Sequence, residues 1–273
     1  MAICVSGDNT NLIYEEVERI ISKIVGQMFH RADIRNDEEQ NLSLYKNAGV
    51  NIDEGNKVVN KIRSSLESTY DEHVMTQWGD FGGLYNLGSF LKLNKYKEPI
   101  MVSSTDGVGT KTCFILKHMG QHEGMKVLGQ DIVNHCVNDI LVKGAIPLMF
   151  LDYFASSKLD SDMVASFVEG VSKACIENDC CLMGGETAEM PGVYNDGKCD
   201  IVGTIMGIVD KSEMIMGVND IKAGHLVYGI PSSGPHTNGY SLIRKIYEEN
   251  PTLKVFFPLL NPHKSYLKDI RNL

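Results

Sequence analysis

The stretch from Ile100 to Lys111, IMVSSTDGVGTK, constrains the fold more than any other part of the chain. A short apolar run leads into serine and threonine, and one carboxylate, two glycines and one lysine then follow within six residues. Glycine lets the backbone turn sharply and approach a ligand closely, so the pattern indicates a buried strand that ends beside a charged group. Asp106 could hold a divalent cation there, and Lys111 could neutralise a phosphate. An Asp-Gly turn before a surface lysine is also ordinary hairpin chemistry, so this stretch alone leaves both interpretations open.

The composition narrows the class of protein. The chain has 273 residues, 43% of them hydrophobic, and this length suits one large domain or two smaller ones. Its formal net charge of −9 argues against non-specific binding to nucleic acid or to an anionic membrane surface. An acidic protein that handles phosphates needs bound cations to offset repulsion, so the charge is compatible with a Mg²⁺-dependent enzyme.

Cysteine usage and hydropathy predict a cytoplasmic protein. The seven cysteines are odd in number and none forms a CxxC pair, which argues against a disulfide framework and against a zinc ribbon. No run approaches the roughly 20 apolar residues that span a bilayer. The N-terminal region carries early acidic residues and no secretory pattern, so we predict neither export nor membrane insertion.

Residues 1–44 are predicted to be an extension that carries an amphipathic helix. From Leu12 to about His30, apolar residues recur at helical spacing and charge lies on the other face. This helix either packs on its own domain or contacts a partner. Residues 31–43 are charged and lack periodicity, which is typical of a linker. The next loop, YKNAGVNIDEGN, is either a turn with a helix N-cap or a flexible cover over a phosphate.

A helix is predicted over residues 125–143, and four of its polar residues share one face. They lie at offsets 0, +4, +7 and +8 and are Asp131, His135, Asn138 and Asp139. Polar groups on an otherwise apolar helix are costly to bury unless they meet a ligand, a metal or each other. A solvated face is the alternative, since helices normally have a polar side.

Further strands are predicted at residues 147–154 and 200–209, with a helix at 160–178 between them. A short apolar run, Cys181–Met183, leads into GGETAEMPG and places Glu186 and Glu189 at the end of a strand. Two carboxylates three residues apart after a Gly-Gly pair suit a metal or phosphate–metal site.

Residues 211–273 are predicted to form a partial second domain. A strand at 226–230, a polar loop and a helix at 241–249 make a unit that suits phosphate binding at a helix N-terminus. The sequence contains neither a Walker loop nor a GxGxxG fingerprint. His236 in the loop is either a catalytic acid or base or a histidine bonded to backbone.

Together these motifs resemble one family. STDGVGTK, DIVNHCVNDILVKGAIP, FLDYFASSKLD, GGETAEMPGVY and IPSSGPHTNGYSLIRK look like segments of the phosphoribosylformylglycinamidine cyclo-ligase family, in the same order. The likeness runs from about Tyr45 to the C-terminus. It implies a two-domain α/β (α+β) fold in which an ATP-binding N-terminal domain, residues 45–210, contributes strands to the β-barrel-like sheet of a homodimer.

The resemblance also implies a reaction in de novo purine biosynthesis. ATP phosphorylates the formyl amide oxygen of formylglycinamidine ribonucleotide, an amidine nitrogen closes the imidazole ring, and phosphate leaves. The products are aminoimidazole ribonucleotide, ADP and phosphate. Phosphorylation turns a poor leaving group into a good one, and Mg²⁺ softens the charge on ATP. ATP and Mg²⁺ are therefore the expected cofactors.

By motif position, the resemblance implies roles for individual residues. The expected catalytic residues are Asp106, Lys111 and His236. The expected Mg²⁺ ligands are Asp106, Asp131, Asp139 and Glu186, with Glu189 as an additional candidate. Contacts to ATP, phosphate or substrate are expected from Lys57, Gly107, Gly109, Thr110, Asn138 and Asn238.

Departures from the family pattern leave a second function open. About 44 residues precede the first motif, and the glycine-rich HLTGGG-like segment of the family's second domain does not occur. We therefore expect an incomplete second domain. The alternative function is a truncated non-catalytic or split-enzyme module that dimerises and needs a complementary C-terminal chain.

Individual motifs bear on the metal site and on the choice between related families. Asn134 and His135 stand where small or apolar residues are expected, so His135 is expected either to perturb the metal site or to fill it. Another ATP-using member of the superfamily, such as a thiamine-phosphate kinase, is disfavoured by FLDYFASSKLD and SSGPHTNGYSL.

Overall fold

A computed structural model describes residues 46–77, 80, 82–217 and 219–271. The chain divides into two compact units, Met1–Asn47 and Ala48–Leu273. The predicted helix at 12–30 and the linker after it lie outside the described residues. Within the described ranges, no helix has the length and apolar character needed to cross a membrane.

A four-stranded mixed sheet forms the centre of the unit. Its strands are β1 (Pro99–Gly107), β2 (Ile146–Ser156), β3 (Cys181–Glu189) and β4 (Cys199–Asp210), in the spatial order β1-β4-β2-β3. β2 and β3 are parallel, and the other two pairs are antiparallel. All four strands were predicted from apolar runs, and the α/β class is confirmed.

Helices connect and cover the strands. They are α1 (Ile52–Glu67), α2 (Leu87–Leu93), α3 (Lys111–Met119), α4 (Gln121–Leu141), α5 (Ser161–Glu177), α6 (Tyr240–Glu249) and α7 (Leu267–Arg271). Two of these helices have side-chain caps: the Asn51 side chain accepts from the Glu54 N–H of α1, as the sequence predicts, and Asp160 accepts from two N–H groups of α5. The loop ahead of α1 therefore acts as an N-cap.

Helices α4 and α5 cross closely on one face of the sheet, and two glycines set their distance. A Cβ atom added at Gly170 would lie 2.2 Å from the carbonyl oxygen of Lys126, and one added at Gly129 would lie 2.3 Å from that of Phe167. Any side chain at these positions would push the helices apart. Phe167 in turn meets Phe154 of β2, with ring centroids 5.4 Å apart, so the core lies between this helix pair and the sheet.

The opposite face of the sheet keeps exposed surface. Side chains alternate along a strand, and the inward positions Gly203 and Ile205 of β4 are buried. The outward neighbours Val202 and Met206 are only partly buried, and Met101 on β1 is 60% exposed. An apolar sheet face with incomplete cover is a surface that another chain could bury.

The predicted strand at 226–230 is wrong. These residues have no regular structure and pair with no strand in the described part of the chain. An extended segment becomes a strand only where a neighbour takes up its backbone N–H and C=O groups. Leu226, Val227 and Tyr228 are instead 78%, 97% and 79% exposed.

Residues 256–271, the C-terminal segment, return across α3 and α4 after α6. A short 3₁₀ turn, Phe257–Leu260, places Leu259 in a small cluster with Phe114 and Tyr240. The Tyr240 hydroxyl donates to the Leu259 carbonyl oxygen at 2.8 Å. These contacts bring the segment onto the polar face of α4.

Candidate active site

The C-terminal segment covers much of the polar face of α4. The Asn134 amide donates to the carbonyl oxygen of His263 at 2.7 Å. The Asn138 amide donates to the carbonyl oxygen of Lys264 at 2.8 Å, and its own oxygen accepts from the Tyr266 N–H at 2.9 Å. Backbone groups of the segment thus satisfy the amides that would otherwise be costly to bury. Asn138, expected at the nucleotide, lies instead against the protein's own chain.

Lys111 and Asp131 form an ion pair closed to solvent. Both side chains have 0% exposure, and Lys111 Nζ lies 2.8 Å from Asp131 Oδ1. The same carboxylate oxygen accepts from the His263 N–H at 2.6 Å, and Nζ also donates to the carbonyl oxygen of Asn261 at 2.8 Å. Burial lowers the pKa of Lys111 and raises the pKa of Asp131 to about 6, because the mutual attraction offsets only part of the desolvation.

This ion pair involves two residues that were expected at a ligand. Lys111 was expected at a phosphate and Asp131 on Mg²⁺, whereas in this structure Lys111 Nζ and Asp131 Oδ1 bond to each other and to the C-terminal segment, and Asp131 Oδ2 has no hydrogen-bond partner. Since neither side chain reaches solvent, their role in this structure is to anchor the C-terminal segment on α3 and α4.

Asp106, His135 and Asp139 form the one group in the described ranges that could hold a metal ion. Asp106 lies near the end of β1, and the other two lie one turn apart on α4. His135 Nε2 is 3.1 Å from Asp106 Oδ2 and 4.0 Å from Asp139 Oδ1. One ligand atom from each residue lies within 4.8 Å of the others, and Asp106 is exposed, so a cation from solvent can reach the group.

The remaining atoms of these three side chains are held by hydrogen bonds. Asp106 Oδ1 accepts from the Gly107 N–H at 2.6 Å, and Asp139 Oδ2 accepts from the Ser104 hydroxyl at 2.8 Å. His135 Nδ1 lies 2.9 Å from the hydroxyl oxygen of Thr237. These bonds leave one ligand atom of each residue oriented toward the space between the three side chains, where a cation could sit.

The hydrogen-bond network also settles which nitrogen of His263 carries a proton. Because the Asn138 oxygen accepts from a backbone N–H, its amide nitrogen must be the donor to His263 Nε2 at 3.0 Å. Burial is the main cause that lowers the pKa of His263 to about 3. The ring is therefore neutral at pH 7, and Nδ1 carries the hydrogen. That N–H faces Thr237 Oγ1 at 3.4 Å.

The N-terminal ends of α3 and α6 meet a few residues from Asp106. The hydroxyls of Thr110, which precedes α3, and of Ser241, in the first turn of α6, are 3.0 Å apart. Neither Thr110 nor Gly239 caps its helix with a side-chain hydrogen bond. Gly109 has φ +64°, a left-handed conformation that lets the loop after β1 turn into α3. Helix starts without side-chain caps favour an anion, because the helix dipole is positive at this end.

Other predicted site residues lie away from this group. Glu189 accepts hydrogen bonds from the backbone N–H groups of Leu159, at 2.8 Å, and Asn51, so it ties α1 to the sheet. Glu186 is exposed on β3, the edge of the sheet opposite to β1. Lys57 is exposed on α1 and pairs with a glutamate of the same helix. The expected set of four or five carboxylates around one cation is therefore reduced to Asp106 and Asp139.

His236 lies in the loop ahead of α6, beside the covered face of α4. Its Nε2 is 3.0 Å from the Tyr266 hydroxyl and 3.2 Å from that of Ser232, so its partners are side chains and not backbone. Its ring stacks on His263 with centroids 4.1 Å apart, and burial lowers its pKa. Asn238, two residues on, is exposed.

Comparison with known proteins places this arrangement in a family. Residues 91–209, which carry all four strands and the Asp106–His135–Asp139 group, match the family model described as AIR synthase related protein, N-terminal domain. A phosphoribosylformylglycinamidine cyclo-ligase of Clostridium botulinum (strain Okra / Type B1) is 47% identical over 233 residues, which cover 84% of this chain and 67% of that protein. The chain belongs to the phosphoribosylformylglycinamidine cyclo-ligase family. The cyclo-ligase of Xanthomonas euvesicatoria pv. vesicatoria (strain 85-10) is 44% identical with the same coverage.

Solved structures similar to this cyclo-ligase family member are more distant. A thiamine-monophosphate kinase from Stenotrophomonas maltophilia K279a has a TM-score of 0.42 at 16% identity, and covers 58% of this chain and 43% of its own. The hydrogenase maturation protein HypE of E. coli has a TM-score of 0.43 at 14% identity, and the match covers 62% of this chain and 48% of the HypE chain.

Sequence reasoning missed the residues that complete the site of this cyclo-ligase family member. His263, Thr237 and Tyr266 belong to no pattern that predicts contact with α4. His263 is 132 residues from Asp131, and Thr237 is 102 residues from His135. A signal was present only for His135, because an imidazole stood where a small or apolar residue was expected.

Proposed function

We propose that this chain catalyses the ATP-dependent ring closure of formylglycinamidine ribonucleotide to aminoimidazole ribonucleotide, ADP and phosphate. One observation carries the proposal beyond family membership. The short loop 107–110 joins Asp106 to the start of α3, and the Thr110–Ser241 contact brings the start of α6 beside it, so residues that could hold a cation lie near two helix N-termini that could hold an anion. A nucleotide phosphate bound with its metal ion needs both kinds of site side by side.

Asp106 and Asp139 are the proposed Mg²⁺ ligands. Their donor set fits, because carboxylate oxygens suit hard cations and each residue keeps one oxygen directed toward the shared point. When bound, Mg²⁺ neutralises phosphate charge during phosphoryl transfer. Gly107 and Ser104 keep the carboxylates oriented through their hydrogen bonds. The proposal leaves Asp131, Glu186 and Glu189 out of the ligand set.

Phosphate oxygens are assigned to the start of α3 and α6. The N–H groups of the first turns are free of side-chain caps, and the Thr110 and Ser241 hydroxyls flank them. Gly107 and Gly109 allow a phosphate to come close to the loop. Lys57 is kept as a proposed phosphate contact and Asn238 as a proposed substrate contact. Both are exposed, and neither is part of the cation group or of the two helix starts.

His236 is the proposed acid or base for the substrate's amidine. Its lowered pKa keeps the ring neutral near pH 7, so it can accept a proton. The Tyr266 hydroxyl and the stacked ring of His263 fix its plane. In this arrangement the C-terminal segment positions the acid–base residue.

An assay of ring closure tests the proposal. The purified chain receives ATP, Mg²⁺ and formylglycinamidine ribonucleotide, and aminoimidazole product is followed with ADP release. Asp106→Asn is expected to reduce the rate at least about 100-fold, since removal of one group that stabilises transition-state charge has an effect of this size. Glu186→Gln is the matched control and is expected to leave the rate within about two-fold. Full activity of Asp106→Asn would refute the metal assignment.

The second candidate is a module that works only with a complementary C-terminal chain. The observation that favours it is the exposed run Leu226–Tyr228, which a further strand could cover. Under this function the chain alone gives no product, and addition of a separately produced C-terminal fragment of a cyclo-ligase restores turnover. No activity in either arm would leave neither function standing.

A cytoplasmic homodimer is the proposed assembly. The half-covered sheet face, with Met101 60% exposed, supports burial against a second copy. The described cysteines are free thiols, which suits a reducing compartment. Sedimentation velocity measures the mass, and a Met101→Lys variant is expected to shift the population from dimer to monomer.

A further inference from the structure

The cation site of this protein contains an imidazole, and this changes the class of ion that it selects. We propose that His135 is a third metal ligand beside Asp106 and Asp139, and that the site prefers a divalent transition-metal ion of the Fe²⁺, Co²⁺ and Zn²⁺ class over Mg²⁺. The inference rests on the proposed function only in taking the two carboxylates as cation ligands.

The position of His135 Nε2 is the first step of the argument. It faces Asp106 Oδ2 at 3.1 Å and Asp139 Oδ1 at 4.0 Å. Ligand atoms around one cation, each about 2.0–2.2 Å from it, lie about 3–4 Å from one another. The two distances from His135 Nε2 fall in this range, and all three atoms lie within 4.8 Å of one another, so they can approach a single ion from one side and leave its exposed side to water or phosphate oxygens.

The second step is the support behind the imidazole. The ring nitrogen that does not face the carboxylates, Nδ1, lies 2.9 Å from the Thr237 hydroxyl, and the side chain of His135 is only 12% exposed. Metal-binding histidines characteristically use their second nitrogen in such a bond, which fixes the ring plane and the tautomer. Both carboxylates have equivalent supports in Gly107 and Ser104.

The third step is that Thr237 is compatible with metal binding by His135. In the neutral tautomer with its hydrogen on Nε2, His135 donates to Asp106 and accepts from the Thr237 hydroxyl at Nδ1. With an ion, Nε2 is the ligand atom and Nδ1–H must donate instead. A hydroxyl oxygen has two lone pairs, so Thr237 can accept from His135 and from His263 together. The neighbours of the ring need not move.

The selectivity follows from ligand chemistry. Mg²⁺ takes oxygen ligands in a strict octahedron and gains little from imidazole nitrogen. Affinity of mixed nitrogen and oxygen sites rises from Mn²⁺ through Fe²⁺ and Co²⁺ toward Cu²⁺, and imidazole suits Zn²⁺ and Fe²⁺. Any carboxylate site binds Co²⁺ somewhat better than Mg²⁺, so the measure of the proposal is how far the Co²⁺ preference depends on His135.

The experiment titrates the full chain with Co²⁺, followed by its visible absorption, and with Mg²⁺, followed by calorimetry, in the absence of ATP and substrate. His135→Gln is expected to weaken Co²⁺ binding by about 10-fold or more and to change Mg²⁺ binding less than about three-fold. Thr237→Val, which removes the supporting hydroxyl at nearly constant shape, is expected to weaken Co²⁺ binding about 10-fold as well. Circular dichroism and urea unfolding establish that each variant is folded.

The controls separate this inference from the proposed function. His225→Gln removes an exposed imidazole elsewhere and is expected to leave both affinities unchanged. If His135→Gln and Thr237→Val bind Co²⁺ within two-fold of the parent while Asp106→Asn loses Mg²⁺, the inference is overturned and the proposed metal site stands. If Asp106→Asn loses neither ion, both are overturned.

Discussion

At the scale of single residues, the buried pair Lys111–Asp131 joins parts of the chain that no local pattern connects. Asp131 Oδ1 accepts from the His263 N–H and Lys111 Nζ donates to the Asn261 carbonyl oxygen, so one ion pair fixes α3, α4 and the C-terminal segment together. Moving the two charges out of water costs free energy of desolvation. The attraction between the charges, together with their hydrogen bonds to the backbone, offsets that cost.

Removal of one charge from this pair should therefore be strongly destabilising. Asp131→Asn keeps an acceptor for the His263 N–H but leaves Lys111 as a buried, uncompensated cation. We expect the free energy of unfolding in urea to fall by about 3–5 kcal/mol. The double variant Lys111→Met/Asp131→Asn should recover part of that loss, because no charge is then buried. Equal losses in the single and double variants would contradict this account.

Asp152 gives a second prediction at the residue scale, through pH. It lies on β2 beside Gly185, where an added Cβ would come 2.4 Å from its carboxylate, and burial raises its pKa from 3.8 to about 7. Between these two values the folded protein binds more protons than the unfolded chain, so the free energy of unfolding falls as pH rises from about 4 to about 7.

Asp152→Asn cannot ionise and should lose this dependence. We expect the difference in unfolding free energy between Asp152→Asn and the parent to move in favour of the variant as pH rises through that window, and to level off above it. Urea unfolding at several pH values measures the curve, with the exposed Asp196→Asn as the control for loss of one charge. If the difference in unfolding free energy between Asp152→Asn and the parent did not change with pH, a raised pKa of Asp152 would be ruled out.

At the scale of elements, the α4–α5 crossing leaves no room for a side chain at Gly129 or Gly170. Gly170→Ala would force its methyl group against the Lys126 carbonyl, and we expect a loss of roughly 1–3 kcal/mol from overpacking, or more if the helices cannot separate. Gly55→Ala is the matched control: it also lies in a helix, but a Cβ there meets nothing within 4 Å. It should stabilise by roughly 0.5–1 kcal/mol through helix propensity.

Both glycine variants are measured by urea unfolding under one set of conditions. The two substitutions are chemically identical, so opposite signs isolate the crossing as the cause. Destabilisation of both by the same amount would show that backbone effects and not the crossing dominate.

Elements were also the scale at which sequence reasoning was most successful. The strands around Ile100 and Asp200 and the helix at 161–177 are visible because apolar spacing along a short stretch reports the face that is buried. α3, Lys111–Met119, was missed since its lysine was interpreted as the end of a phosphate loop. The strand at 226–230 was wrong because apolar content alone does not supply a pairing partner.

The site was predictable only where its residues lie on one element. Spacing by four residues places His135 and Asp139 together on α4, and the motif at Asp106 marks a strand end. The links from α4 to Thr237 and His263 span more than 100 residues, and no periodicity records such contacts. For the same reason Asp131 was assigned to a metal, although a lysine 20 residues away neutralises it.

At the scale of the whole molecule, the exposed apolar run Leu226–Tyr228 should control self-association. Val227 is 97% exposed and has exposed apolar neighbours on both sides. Val227→Lys should reduce concentration-dependent light scattering and leave the urea unfolding free energy within about 0.5 kcal/mol of the parent, because it removes apolar surface that contacts only solvent.

The matched control for this substitution is Val142→Lys, which places the same charge at another exposed valine, 66% accessible, just after α4. It should leave light scattering unchanged. An equal reduction by both variants would show that net charge and not the apolar run governs association.

The contact between α4 and the C-terminal segment has a consequence for the order of events during synthesis. Asp131 leaves the ribosome 132 residues before His263, whose N–H it accepts. At about 5–20 residues per second, on the order of 10 s passes in between. Throughout that interval the polar side of α4 has no cover. The nascent chain must then either keep Lys111 and Asp131 hydrated or recruit another molecule to shield them, and chaperone dependence should be greatest in this interval.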